Sequence, residues 1–308
     1  MKKTFSALLI LLIAISLCGC NSKDYADAEA LFAEGKYSEA LPLYESIGDY
    51  EQSSERAKEC KYQLAKAAFS DNDWALAIEY LTGLNYADSE KMITDCNFIL
   101  DLQRSILNRM EQNKYNTDYT TLTNTELSYL GKYIEAEFSS PEIKKFADEY
   151  IGGLQTQKEA LSLKYSEYQI EWQRGLTQRC HVLNELLNNY NFLSDNMDFV
   201  ATYSTYDQNL AYLEALEEID KDLLSQLDGI NFSTVSTYEF AAKYTNNTDY
   251  CFDLAFYFTL KDYNEVRVGE TQGYFTAIQP HSQNKFTFYS PCSWNQCEFF
   301  WEIYNVSA

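Results

Sequence analysis

The spacing of apolar residues changes along the chain, and each change predicts a different kind of element. Phe5 to Leu17 is an apolar run broken only by Ser6 and Ser16. Further on, apolar positions recur every three or four residues, the period of an amphipathic helix. Ile99, Leu102, Ile106 and Met110 form one such stripe. Thr123-Asn124-Thr125-Glu126 has the form of a capping box opening the next helix. Ser139-Ser140-Pro141-Glu142 is a second start signal. From Ile143 through Phe146, Tyr150, Leu154, Leu161, Tyr165, Tyr168, Trp172, Leu176, Leu183 and Leu186 to Tyr190 the intervals are three, four or seven. This heptad-like seam predicts one helix of about fifty residues, roughly 75 Å long, although Gly152-Gly153 and Gly175 argue for interruptions. A helix from about 206 to 227, carrying Leu210, Leu213, Leu216, Leu223 and Leu227, is expected antiparallel to it. After Asp228-Gly229 the period drops to two. Strands are expected near 236–245, 250–260, 271–278, 284–290 and 297–306.

Self-comparison adds a repeat. Ala28 to Ala40 aligns with Ala65 to Ala77 at an offset of 37, and Tyr50, Ser53 and Cys60 align with Tyr86, Ser89 and Cys96 at 36. Each unit reads as helix, turn, helix. Gly35 and Asn72 fall where a helix end needs a left-handed residue. The pattern Ala28, Gly35, Tyr37, Ala40, Tyr44, and Ala65, Asn72, Trp74, Ala77, Leu81, resembles the tetratricopeptide repeat. Tyr-x-x-Ser, at Tyr50 to Ser53 and Tyr86 to Ser89, replaces the usual closing proline. The resemblance implies that the first helix of each unit lines a groove. By position the partner-binding candidates are Tyr25, Phe32, Tyr62 and Phe69, with Glu29 and Lys66 beside them. Two readings of Phe32 and Phe69 stand: anchors for a peptide or another helix, or packing against helices downstream.

The apolar run at the start follows Lys2 and Lys3 and ends in Leu17-Cys18-Gly19-Cys20. As a helix it spans roughly 20 Å, too short for the ~30 Å hydrocarbon core, so it reads as a signal peptide. Leu17 to Cys20 resembles a lipobox. The resemblance implies cleavage before Cys20 and lipid on its thiol, with membrane retention through two or three acyl chains. Removal of Lys2 and Lys3 leaves 22 basic against 46 acidic residues, a net charge of −24. That disfavours nucleic acid and anionic surfaces as partners. Cys60 and Cys96 read as small packing residues. Cys292 and Cys297 flank Ser-Trp-Asn-Gln, an expected turn, and are candidates for a disulfide. No catalytic residue set, metal site or cofactor motif stands out. His181 and Cys180 are adjacent and do not share a helix face.

The late segment resembles the immunoglobulin-like modules called FxLYD domains, found in surface lipoproteins. Phe258-Thr259-Leu260-Lys261-Asp262 echoes the naming motif, with Lys261 in place of its tyrosine. Gln279-Pro280-His281-Ser282 echoes a turn before a strand. Such modules bind or space. Trp294, in the turn, is a candidate contact for a sugar or peptide.

The expected architecture is therefore α+β with separate domains. Residues 1–19 are a signal peptide, 20–24 an anchor and linker, 25–98 tetratricopeptide-like helical repeats, 99–229 a long helical hairpin or stalk, and 232–308 an immunoglobulin-like β-sandwich. The expected role is that of a membrane-anchored surface lipoprotein acting as a protein-interaction or scaffolding module, not an enzyme. A lipoprotein that binds peptide or glycan is the alternative, and an enzyme acting on the cell wall comes third. Expected partners are the membrane, through lipid on Cys20, and a protein, with a homodimer along the seam as a further option.

Overall fold

The computed structural model describes residues 21–113, 118–203, 205–227, 233–236 and 238–308. The signal segment and Cys20 lie outside the described residues. Helices occupy 21–33 (α1), Tyr37–Ile47 (α2), Ser53–Ser70 (α3), Trp74–Leu81 (α4), Ser89–Asn113 (α5), Tyr119–Leu130 (α6), Pro141–Ala160 (α7), Tyr165–Tyr190 (α8), Met197–Tyr203 (α9) and Tyr206–Leu227 (α10). Strands follow at Ser233–Ser236 (β1), Glu239–Thr245 (β2), Cys251–Lys261 (β3), Arg267–Ile278 (β4), Gln283–Tyr289 (β5) and Gln296–Ser307 (β6). The layout is α+β. Contacts divide it into two compact units, Met1–Glu111 with Lys132–Ala147, and Gln112–Gly131 with Asp148–Ala308.

In the first unit the α1–α2 and α3–α4 turns close in the same way. Lys36 N–H donates to Leu31 O and Gly35 N–H to Phe32 O; Asp73 N–H donates to Ala68 O and Asn72 N–H to Phe69 O. Gly35 and Asn72 have φ of 75° and 62°. This hydrogen-bond pair satisfies the last carbonyls of a helix and requires a left-handed residue, which Gly supplies freely and Asn tolerates. Ala28, Ala40, Ala65 and Ala77 are all fully buried, as are Cys60 and Cys96. Alanine at these points lets paired helices approach closely. Residues 132–147 return to α5, where Tyr133 hydroxyl donates to Asp101 at 2.7 Å and rests its ring edge-on against Phe98.

The seam from Ile143 to Tyr190, which lies in the second unit from Asp148 on, is not one helix. α7 ends at Ala160 and α8 begins at Tyr165, and the chain reverses between them. The pairs Gly153 with Gly175, Gln157 with Trp172, and Glu149 with His181 run in opposite senses, so α7 and α8 are antiparallel. The glycines mark the crossing: a Cβ on Gly175 would lie 2.4 Å from Gly153 O, and one on Gly153 2.6 Å from Gly175 O. Tyr150, Leu154, Leu183 and Leu186 are buried within the chain. α10 packs antiparallel on α8, with Asn209 beside Gln173 and Thr177, Tyr206 against His181, and Glu217 paired with Arg174. The expected start at Thr123 is also displaced. α6 opens at Tyr119, capped by Asp118, whose carboxylate accepts from Thr121 N–H at 2.9 Å. The Asp118 cap thus makes Thr123 and Glu126 interior residues of that helix.

Both sheets are antiparallel, ordered β1-β2-β5 and β4-β3-β6. Alternate residues on β2 and β5 bring Phe240, Phe286 and Phe288 onto Phe256, Phe258 and Phe275 of β3 and β4, with ring centroids 4.4 to 5.4 Å apart for the close pairs. Leu216, Ile219, Leu223 and Leu227 of α10 are in the same core as these rings and Trp301. One continuous core joins α10 to the strands, and both lie in the second compact unit. α8 also caps the free edge of β6 at one residue: Gln169 accepts from Ile303 N–H at 2.9 Å and donates to Ile303 O at 3.0 Å. At Ile303 the edge backbone groups are thereby taken by a side chain rather than left to another strand.

Candidate functional site

Helical periodicity places Tyr25, Glu29 and Phe32 on one face of α1, and Tyr62, Lys66 and Phe69 on the equivalent face of α3. All four rings are half-buried. Each meets a neighbouring ring. Tyr25 is edge-on to Tyr50 at 6.0 Å, and Tyr62 to Tyr86 at 5.5 Å. Phe32 is edge-on to Tyr37 at 5.2 Å, and Phe69 to Trp74 at 4.9 Å. Each ring is therefore engaged in packing while part of its surface stays exposed to solvent.

Charge is held against these rings. The Arg56 guanidinium sits 4.7 Å from the centre of Phe32, a cation–π distance, and its Nε donates to Glu29 at 3.0 Å and Nη1 to Glu59 at 3.0 Å. Glu29 also accepts from the buried Tyr44 hydroxyl at 2.7 Å, and burial together with that carboxylate pushes the Tyr44 hydroxyl well above its ordinary pKa. Lys66 lies 5.9 Å from the centre of Tyr62. Burial raises the Tyr62 hydroxyl to about 12, helped by its hydrogen bond to Asp88. Hydrogen bonds from Ser139 and Tyr62 lower the Asp88 carboxyl. The outcome is a surface with two tyrosines, two phenylalanines, a pinned arginine and an exposed lysine. Arg56 was not singled out from sequence. Its place one turn after Ser53, opposite Glu29, carries no motif.

The remaining candidates fall elsewhere. Trp294 is half-buried and sets its edge against Phe240 at 5.0 Å, so the ring is part of the sheet core's lining. Cys60, Cys96, Cys180, Cys251, Cys292 and Cys297 are free thiols, so no bond joins 292 and 297 in this structure. Cys292 Sγ points to Val268 O at 3.5 Å, and burial raises the Cys297 thiol to about 11. Among the described residues no group of three or more His, Cys, Asp and Glu side chains is arranged to hold a metal ion. No described helix is long and apolar enough to cross a membrane.

A buried polar cluster lies in the second unit. Arg179, 1% exposed, donates to Glu126 Oε2 at 3.1 Å, to Tyr150 Oη at 2.9 Å and to Gln157 Oε1 at 2.8 Å; Tyr150 hydroxyl donates to Glu126 at 2.9 Å. It fixes α6, α7 and α8 together. No family model, curated protein or solved structure matches the chain.

Proposed function

We propose that this chain is a lipid-anchored extracytoplasmic protein that holds a protein partner on the α1–α3 surface. In this reading Cys20 carries the lipid, the α1–α4 pairs are tetratricopeptide-like repeats, and the two sheets are an immunoglobulin-like sandwich. The observation that carries the proposal is the row of half-buried rings, Tyr25, Phe32, Tyr62 and Phe69, with Arg56 fixed among them. Tyrosine and arginine dominate the energetics of protein interfaces because each buries a large area from a stiff or pre-organised side chain. Here Glu29 and Glu59 hold Arg56 in place before any partner arrives, which lowers the ordering cost of binding. The strongly acidic chain favours a partner with a basic surface.

The test is a photoreactive amino acid at exposed position 66, installed in the full chain in living cells, compared with the same residue at exposed position 188 on α8. Position 66 is expected to capture a protein that position 188 does not, and Phe69→Ala is expected to reduce that capture. Identical adducts from both positions contradict the proposal.

A further inference from the structure

The outward face of the β4-β3-β6 sheet carries exposed rings that core packing does not explain. Outward Tyr257 lies between Gln272 on β4 and Phe300 on β6, outward Ala255 between Tyr274 and Glu302, and Asp253 opposite Tyr304. Tyr274 is 61%, Phe300 46% and Tyr304 37% exposed. Tyr165, the first residue of α8, lies flat on Phe300, with ring centroids 4.9 Å apart at 10°, and 4.8 Å from Tyr257. Its φ is +57°, a left-handed conformation that is costly for a bulky side chain and that concentrates at functional positions. Two clefts open on this face. One, of about 280 Å³, is bounded by Tyr165, Tyr257, Glu270 and Gln272. The other, of about 270 Å³, is bounded by Asp253, Tyr274, Tyr304 and Asn305.

We infer that this face binds a neutral polysaccharide chain. Pyranose rings present a C–H face that packs on an aromatic ring and a rim of hydroxyls that need partners. The sheet supplies both at neighbouring positions. Tyrosine offers an apolar face with a polar tip, and Glu302, Asp253 and Gln272 stand between the rings as acceptors and donors. Glu302 is already oriented by the Tyr257 hydroxyl at 2.7 Å. Charge selects the class of polymer. Lys261 pairs with Glu298 at 2.5 Å and Arg267 with Glu270 at 2.6 Å, while Asp253 and Glu302 add negative charge between the rings. The face therefore repels phosphate- or uronate-bearing chains. Asp253 and Tyr257 are four residues apart on one strand, about 13 Å, so the two clefts match several linked sugars better than one. The inference rests on export of the chain, as the proposed function does, but uses none of the α1–α3 residues, so either can fail alone.

The test is affinity electrophoresis of the detergent-solubilised full chain through gels containing hydroxyethylcellulose, mixed-linkage β-glucan or dextran, with alginate as the polyanion. At least one neutral polymer is expected to retard the chain, and alginate is not. Tyr274→Ala with Tyr304→Ala is expected to weaken retention by about tenfold or more, the usual loss at an aromatic anchor. Tyr263→Ala, at an exposed turn away from the face, leaves it unchanged. Gln272→Ala, an exposed polar position, serves as an independent variant if the double one melts at a lower temperature. The inference is overturned if no neutral gel retards the chain, if alginate does, or if both the double variant and Gln272→Ala are retained like the wild type.

Discussion

Gly152 and Gly153 are neighbours in α7, yet replacing them with alanine should move stability in opposite directions. At Gly152 an added Cβ meets nothing within 4 Å, whereas at Gly153 it falls 2.6 Å from Gly175 O and 2.8 Å from Arg179 Cγ. Alanine lowers the conformational freedom lost on forming a helix, so Gly152→Ala should stabilise by about 0.5–1 kcal/mol. Gly153→Ala gains the same propensity but meets a backbone oxygen that cannot rotate away. α7 and α8 must part by several tenths of an ångström, which loosens their shared core and stretches the Arg179 hydrogen bonds. Overpacking of this kind costs about 1–3 kcal/mol, and the weakened buried hydrogen bonds add about 1. The net expectation is a loss of roughly 2 kcal/mol. For a unit of this size that lowers the melting temperature by about 4–8 °C, against a rise of about 1–3 °C for Gly152→Ala. Thermal melts followed by circular dichroism, with urea titrations to check that the slope is unchanged, measure both. Shifts of the same sign for the two variants refute the close crossing.

Other expectations test other parts of the account. Glu126→Ala removes the carboxylate partner of the buried Arg179 and should cost about 3–5 kcal/mol; a loss under 1 kcal/mol in urea titrations would mean that the pair is open to water. Burial raises the Asp95 carboxyl to about 6 from its ordinary 3.8, against the pull of the Ser139 and Ser140 N–H groups it accepts from. The folded state therefore holds this proton more tightly. Its contribution to stability is complete below 3.8 and is lost as pH rises through about 6, a change on the order of 3 kcal/mol. Asp95→Asn should flatten that part of the stability curve, and parallel curves for the two proteins would contradict the assignment.

Where a local rule has one dominant cause, the sequence was easy to read. Gly35 and Asn72 stand at helix ends that need positive φ, and buried alanines mark the helix contacts beside them. Alternation after Gly229 put the strands close to where they lie, because inner Phe256 and Phe258 must alternate with outer Tyr257. The reversal at residues 161–164 was not legible. Leu161-Ser162-Leu163-Lys164 contains neither glycine nor proline, and two amphipathic helices in succession keep the same three-four spacing whether or not the chain turns. The glycines that look like helix breakers are instead the point where two backbones touch, which only a partner helix can reveal. Arg179 reads as a surface residue until α6 brings Glu126 to it. The exposed face around Tyr165 joins a helix start to three strands, and no linear pattern carries that juxtaposition.

The proposed working place outside the membrane, anchored through Cys20, is the premise on which both binding surfaces depend. Fractionation of cells expressing the wild type and Cys20→Ala, with protease added outside intact cells, tests it most directly. The account predicts that the wild type sediments with membranes and is digested from outside, while Cys20→Ala is released or stays uncleaved. Normal processing and full membrane retention of Cys20→Ala, or protection of the wild type from external protease, would contradict it.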